Sequence, residues 1–252
     1  MDIMQYKIAS LIPVVLKTKI LDYFATHPYI KDKIERERVN DETKHYGLTS
    51  AQALSKLLRD FKFQSILDIG SGEGRHTDIF LENGKSVTAL DYGESVYFKK
   101  CSDSKNVVKC DYYKYQPKEK FDCIWASHVL EHQPDTHKFL SKVYSDLKDD
   151  GIAALTVPPL KHEIVGGHVN LYNAGLLLYQ MILAGFDCRN ASIHTYDYNI
   201  SIIVRKDRYV DLSGLTFDSG DINYLKQYFP VSVQRLIAES DLFDGRLYNI
   251  NW

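Results

Sequence analysis

The sequence predicts an α/β fold: a doubly wound sheet, mostly parallel, with one antiparallel strand near its end. Three observations carry this expectation. Strand-sized apolar runs alternate with helix-spaced ones from residue 65 to residue 157, the rhythm of βαβ units around a parallel sheet. The first run, Ser65-Ile66-Leu67-Asp68-Ile69, passes straight into Gly70-Ser71-Gly72-Glu73-Gly74 and then a plausible helix start. Two later runs, 191–196 and 200–205, are split only by Asp197-Tyr198-Asn199. So short a link demands a hairpin and therefore a reversed strand.

In chain order, residues 1–60 read as helical and charged, with turns near Asn40-Asp41 and Tyr46-Gly47. A helix over 51–58 has the spacing to cover the sheet just before its first strand. After the strand Ser65–Ile69, a helix over 75–82 stops at Asn83-Gly84. Strands follow at 85–91, 107–110 and 121–127, residues 143–147 lie in a helix, and a fifth strand covers 151–157. Beyond Pro158-Pro159 a loop with Gly166-Gly167-His168 leads to a helix over 174–184 capped by Gly185. Residues after 207 are polar, rich in tyrosine and less periodic. Three regions result: an N-terminal helical cap over 1–60, a ligand-binding core over 61–206, and a C-terminal extension over 207–252 that shapes a substrate pocket or an oligomer contact.

The chain has 252 residues, 44% of them hydrophobic and 25% charged, enough for a full core. Its formal net charge of −2, without a Lys/Arg tract, argues against a nucleic-acid partner. Cys101, Cys110, Cys123 and Cys188 are scattered and read as reduced thiols of a cytoplasmic protein. The apolar run 8–16 is interrupted by Pro13 and ended by Lys17 and Lys19, short of the roughly 20 residues that span a membrane. It reads as an amphipathic helix packed on the domain or forming a dimer contact, in a monomer or homodimer.

Glycines at alternate positions let backbone come close to a ligand, because glycine tolerates positive φ and lacks a Cβ. The helix N-terminus that follows offers unpaired N–H groups and a positive dipole to a negative group. Asp68, two residues before the first glycine, suits a ligand with a cationic end. A dinucleotide turn places its third glycine for close helix–strand packing, in the spacing G-x-G-x-x-G. Here Arg75 occupies that position, which disfavours nicotinamide and flavin. Asp91 ends the second strand, where a carboxylate can accept both hydroxyls of a ribose. Asp111 follows the third, where an acid can accept from an adenine amino group. Residues 121–128 read as a buried strand opening onto a cleft.

These motifs, in this order and at these spacings, resemble class I S-adenosylmethionine-dependent methyltransferases over residues 60–206. The likeness rests on 67–74, Leu90-Asp91, Cys110-Asp111, 121–124 and His128-Val129-Leu130-Glu131-His132, with Leu147-Lys148-Asp149-Asp150-Gly151 as a further element. Residues 167–173, followed by Ala184-Gly185-Phe186, look like the later segment of the subgroup acting on small molecules. The resemblance implies a Rossmann-like fold, S-adenosylmethionine as cofactor and S-adenosylhomocysteine as product. It implies that Asp68, Gly70, Ser71, Gly72 and Gly74 face the methionine part. Asp91 would bind ribose with Tyr92 beside it, and Asp111 with Tyr112 would hold adenine. Ser127 and His128 would line the space where sulfonium and acceptor meet.

Methyl transfer is an in-line displacement that needs alignment and exclusion of water. An oxygen acceptor also gains from a nearby base, a role open to His128, His132 and His168. If a helix starts at His128, then His128, Glu131 and His132 share a face, and with His168 they would form a metal site. The pattern resembles the Glu-x-x-Glu-His motif of ubiquinone-biosynthesis O-methyltransferases and of small-RNA 3′-terminal 2′-O-methyltransferases. Histidine in place of the first glutamate shifts preference toward softer ions such as Mn²⁺ or Zn²⁺. Val-Leu-Glu-His is also widespread among metal-free relatives, so no metal is expected. His137, His162 and His194 read as structural or exposed, and Tyr46, Tyr224, Tyr228 and Tyr248 mostly as packing. The expected function is methyl transfer to a small polar metabolite, at oxygen: a surface-glycan or nucleotide-linked precursor, or a secondary metabolite. The alternatives are a metal-dependent O-methyltransferase and a non-catalytic S-adenosylmethionine-binding partner subunit.

Overall fold

The computed structural model describes residue 45 and residues 47–101, 107–237 and 241–252. The expected helix over 8–16, the turn at Asn40-Asp41 and Tyr46 lie outside them. Residues 47–252 form one compact unit. It contains the sheet, the helix that precedes it and the described part of the segment after residue 207.

Eight strands make one sheet: β1 Ser65–Ile69, β2 Ser86–Asp91, β3 Val107–Lys109, β4 Phe121–Ser127, β5 Leu147–Val157, β6 Ser192–Tyr196, β7 Asn199–Arg205 and β8 Asn249–Ile250. Their spatial order is β3-β2-β1-β4-β5-β7-β6-β8. Strands β1 to β5 pair in parallel, while β7 runs antiparallel to both β5 and β6, and β8 antiparallel to β6. The order reverses between β1 and β4, where open α/β sheets form their ligand crevice. Register makes the strand ends flush: Ile69 pairs with Leu90 and with Ala126, Asp91 with Lys109, and Val157 with Ile200. Gly70, Asp91, Cys110, Ser127 and Asn199 therefore emerge along one edge of the sheet.

Central strands are apolar on both faces because helices cover both. Leu67, Ile69, Ile124, Ala126, Ala153, Leu155, Ile202 and Val204 pack toward α3 (Thr136–Asp146) and α4 (Ala174–Leu183), with α5 (Asp221–Leu225) and α6 (Val231–Leu236) beyond. The alternate residues Ile66, Cys123, Trp125, Ile152, Ala154 and Ile203 pack toward α1 (Ala51–Asp60) and α2 (Arg75–Glu82). The period of two along each strand divides the two layers. Each fully buried Leu or Ile among them contributes about 1.5–3 kcal/mol.

Three details depart from the sequence expectation. The last hairpin is tighter than the expected three-residue split, since Tyr196 pairs with Asn199 and only Asp197 (φ 45°) and Tyr198 form the turn. Strand β5 begins at Leu147, where a helix was expected. Its register against β4 slips between Phe121↔Leu147 and Cys123↔Ile152, and Asp150 at φ 62° lies in the bulge. The two-residue β8 extends the sheet from a segment too short to show any period. Cys101, Cys110, Cys123 and Cys188 are all free thiols. Among the described residues no helix is long and apolar enough to cross a membrane.

Candidate active site

The glycine turn closes on the neighbouring strand: Gly70 and Ser71 N–H both donate to Leu90 O, at 2.8 and 3.1 Å. Gly70 sits at φ 69°, and a Cβ there would lie 2.5 Å from Val129 Cγ2. Only glycine satisfies both the left-handed backbone and that close approach. Gly72 (φ 52°) donates its N–H to Asp91 Oδ2 at 2.9 Å, and Gly93 N–H donates to Asp91 Oδ1 at 2.8 Å. Asp91, 5% exposed, thus braces the turn while keeping lone pairs for hydroxyl donors. Gly74 is the left-handed N-cap of α2. The Ser71 hydroxyl is buried with no partner.

Asp68 is fully enclosed and accepts from Thr77 Oγ1 at 2.6 Å, tying α2 to β1. Burial lifts its carboxyl from an ordinary 3.8 to about 6, opposed by the Thr77 hydroxyl and reinforced by the charge of Asp91. Tyr92 is exposed. Asp111, half-buried, accepts Tyr113 N–H on Oδ1 at 3.0 Å. The Tyr112 side chain is committed to the core: its ring packs edge-on against Phe139 and its hydroxyl donates to Asp146 Oδ2 at 3.0 Å.

The other end of the cleft begins where β4 stops. Ser127 Oγ lies 2.6 Å from Ser50 Oγ at the start of α1. His128 N–H donates to Thr156 O at 2.8 Å while its backbone takes φ 55°. A left-handed non-glycine residue costs about 1–2 kcal/mol, and such residues gather at functional sites. Nε2 of His128 is 3.0 Å from Asn199 Oδ1, Nδ1 is 3.3 Å from Glu131 Oε1, and the ring stacks on Tyr198 with centroids 6.0 Å apart. Lys161 Nζ lies 4.1 Å from the far ring, that of Tyr198.

Where a helix starting at His128 would set His128, Glu131 and His132 on one face, the chain makes one 3₁₀ turn, Leu130–His132, with i→i+3 bonds from His132 to Val129 and from Gln133 to Leu130. Tertiary contacts cut it short. Glu131 O accepts Val169 and Asn170 N–H at 2.9 and 3.2 Å, which draws the loop after β5 onto the turn. Gly167 O then meets His132 Nδ1 at 2.7 Å, and the His132 and His168 rings stand 4.9 Å apart, edge to face. Because a carbonyl only accepts, Nδ1 of His132 carries the proton and Nε2 is a free lone pair when the ring is neutral.

Glu131 has no exposed side-chain surface, and neither carboxylate oxygen has a hydrogen-bond partner. A buried carboxylate in that condition calls for a cation or a proton. One ligand atom each from Glu131, His132 and His168 lies within 4.8 Å of the others. His128 stands outside that trio and touches it through Glu131. Burial lowers the pKa of His168, with Glu131 opposing and His132 and His128 adding, so its imidazole is neutral at pH 7.

Of the residues expected in the site, the glycine turn, Asp91, Asp111, Ser127 and His128 share the sheet's carboxyl edge, and His132 and His168 meet through Glu131. The sequence reading missed Ser50, Lys161, Tyr198 and Asn199. The one signal for Asn199 is a polar residue opening the apolar run 200–204, next to the turn that points at the cleft. His76 Nε2, at the start of α2, is 2.9 Å from Thr49 O, a structural contact.

A family model described as a methyltransferase domain matches residues 43–190. The chain is 31% identical over 102 residues to the ubiquinone biosynthesis O-methyltransferase of Paramagnetospirillum magneticum, covering 38% of this chain and 41% of that protein. It is 29% identical over 111 residues to the malonyl-[acyl-carrier protein] O-methyltransferase of Salmonella typhimurium, covering 42% of this chain and 44% of that protein. Less than half the length of either relative is matched. The structure of Burkholderia thailandensis 1,6-didemethyltoxoflavin-N1-methyltransferase, which holds S-adenosylhomocysteine, has the same fold at a TM-score of 0.52 and 19% identity, covering 79% of this chain and 92% of that one. With a family match over more than half its length and the strand order, glycine turn and edge carboxylates in place, this chain belongs to the methyltransferase-domain family.

Proposed function

We propose that this methyltransferase uses S-adenosylmethionine to methylate an oxygen of a small polar acceptor, of the kind found in glycan or nucleotide-linked precursors and secondary metabolites. The observation that carries the reading is the line of groups along one strand edge, from Gly70–Gly74 and Asp91 to His128, with His168 brought beside His132 by the loop after β5. The residues fit the cofactor: a turn of left-handed glycines at Gly70 and Gly72, an orphan hydroxyl at Ser71 and a buried acceptor at Asp91. S-adenosylmethionine supplies a methyl group on a positively charged sulfur that leaves with its bonding electrons. Asp91 orients the ribose end, Asp111 offers an acceptor to adenine, and the turn's backbone encloses the methionyl end. His168, neutral at pH 7, takes the proton from the acceptor hydroxyl. His128 is held through Nε2 by Asn199 and shapes the wall beside it. Both curated relatives are O-methyltransferases by name, which supports oxygen as the acceptor atom. Isotopically labelled S-adenosylmethionine offered with hydroxylated metabolites tests this: a new O-methyl resonance supports the reading, and an N-methyl product overturns it.

A second reading has its own observation, the partnerless Glu131 carboxylate beside the free Nε2 of His132. Glu131, His132 and His168 would then hold a divalent ion, and His132 would be presented by its Nδ1–H contact to Gly167, the usual support for a ligating histidine. Such an ion would polarise the acceptor oxygen. Turnover lost to a chelator and restored by Mn²⁺ favours this reading, and turnover indifferent to chelator rejects it.

A further inference from the structure

We infer that Asn199 is a positioning residue that fixes which nitrogen of His128 carries a proton. Asn199 is 71 positions from His128 and reaches it only because β7 begins at the carboxyl end of β5, where Val157 pairs with Ile200. Its side chain is buried, 6% exposed. Two groups meet its Oδ1: Ser50 N–H at 3.3 Å and His128 Nε2 at 3.0 Å.

The backbone N–H of Ser50 is a donor in every state, so the atom it meets must be the amide oxygen and not the amide nitrogen. An amide oxygen only accepts. His128 Nε2 must therefore donate, which leaves Nδ1 as the nitrogen turned toward Glu131 Oε1, 3.3 Å away. Ser50 is itself held, 0% exposed, with Oγ against Ser127 Oγ at 2.6 Å. The amide thus has a rigid reference on one side and the ring on the other.

The same hairpin supplies a second constraint. Tyr198, adjacent in the two-residue turn, stacks on the face of His128 at an interplanar angle of 30°. Asn199 holds the ring's edge and Tyr198 its face, and the left-handed backbone of His128 is thereby kept in place. The consequence passes to Glu131, whose orphan oxygen meets His128 on one side and His132 Nε2, 3.8 Å away, on the other. Asn199 touches no reacting group. It acts through His128, and its effect on turnover rests on the function proposed above.

Nitrogen-15 NMR of histidine ring nitrogens in the ligand-free protein tests this without any turnover, so failure of the proposed function would leave it readable. The His128 signals are those lost in His128→Gln. In the native protein Nε2 of His128 is expected to be protonated, and an unprotonated Nε2 overturns the inference. Asn199→Asp keeps the acceptor and is expected to retain that proton, whereas Asn199→Ala is expected to release the ring to a mixture of tautomers. An Nε2 proton unchanged in Asn199→Ala overturns the inference, and the native spectrum decides even if that variant does not fold. In turnover, Asn199→Ala is expected to lower kcat by about ten- to a hundred-fold, because releasing the ring that walls the acceptor beside His168 misaligns it by about an ångström. KM for S-adenosylmethionine should hold, and Asn199→Asp should recover most of kcat. An unchanged kcat in Asn199→Ala also contradicts the inference.

Discussion

Around Gly70–Gly74, polar groups are answered from nearby in the chain: Leu90 takes two N–H groups, Asp91 takes Gly72 and Gly93, and Asp68 takes Thr77. Around Glu131 the opposite holds. A carboxylate is buried with both oxygens unanswered, a histidine beside it sits in a left-handed conformation, and the contacts come from α1, β4, the loop after β5 and the β6–β7 hairpin. The first region is a socket braced by β1, β2 and α2, with Val129 packed on Gly70 and the Ser71 hydroxyl left open. The second is held in readiness by distant segments, with charge left to be matched by whatever enters. Binding and chemistry are thus assigned to different kinds of structure, and mutations should separate them.

The largest expected effect is on chemistry alone. His168→Gln should lower kcat by about 10²–10⁴-fold, the range for loss of a general base, with S-adenosylhomocysteine affinity unchanged. A comparable loss of affinity would merge the two regions. Next comes the socket's geometry. Gly70→Ala places a Cβ against Val129 and strains a left-handed backbone, and should cost about 2–5 kcal/mol in urea unfolding. Val129→Ala added to it should recover the steric part and leave the backbone part.

A smaller effect follows from Asp68. Its folded pKa of about 6 lies above its ordinary 3.8, so the folded state binds the extra proton between those values. The group's contribution is therefore present in full below pH 4 and is lost as pH rises through 6, a difference of about 3 kcal/mol. Relative to Asp68→Asn, native stability should fall between pH 4.5 and pH 7.5. Parallel curves would show that Asp68 titrates normally. The mildest prediction concerns the exposed Tyr92: Tyr92→Ala should change stability by less than about 0.5 kcal/mol, measured by the same unfolding curves.

The socket was readable in sequence because its determinants are local. Three alternate glycines after an apolar strand and a carboxylate ending the next strand each declare themselves within a dozen residues, as does the existence of the last hairpin, though not its two-residue turn. What the sequence concealed depends on contacts between remote segments. The turn at Leu130–His132 is cut to 3₁₀ by Val169 and Asn170. Tyr112 looks like a cleft residue until Phe139 and Asp146 claim it. Asn199 lies beside a turn, and only the pairing of β5 with β7 brings it to His128. The trio Glu131, His132 and His168 was legible in type, but not the exclusion of His128, which Asn199 and Tyr198 hold to one side.

The central claim, that the glycine socket binds S-adenosylmethionine and is distinct from the catalytic cluster, is tested most directly by calorimetry with S-adenosylhomocysteine. The native protein and His168→Gln should bind it equally, and Asp91→Ala, which removes the acceptor offered to the ribose hydroxyls and the brace on Gly72 and Gly93, should weaken binding at least about a hundred-fold. Binding of NAD with none of the thioether, or undiminished affinity in Asp91→Ala, would contradict it.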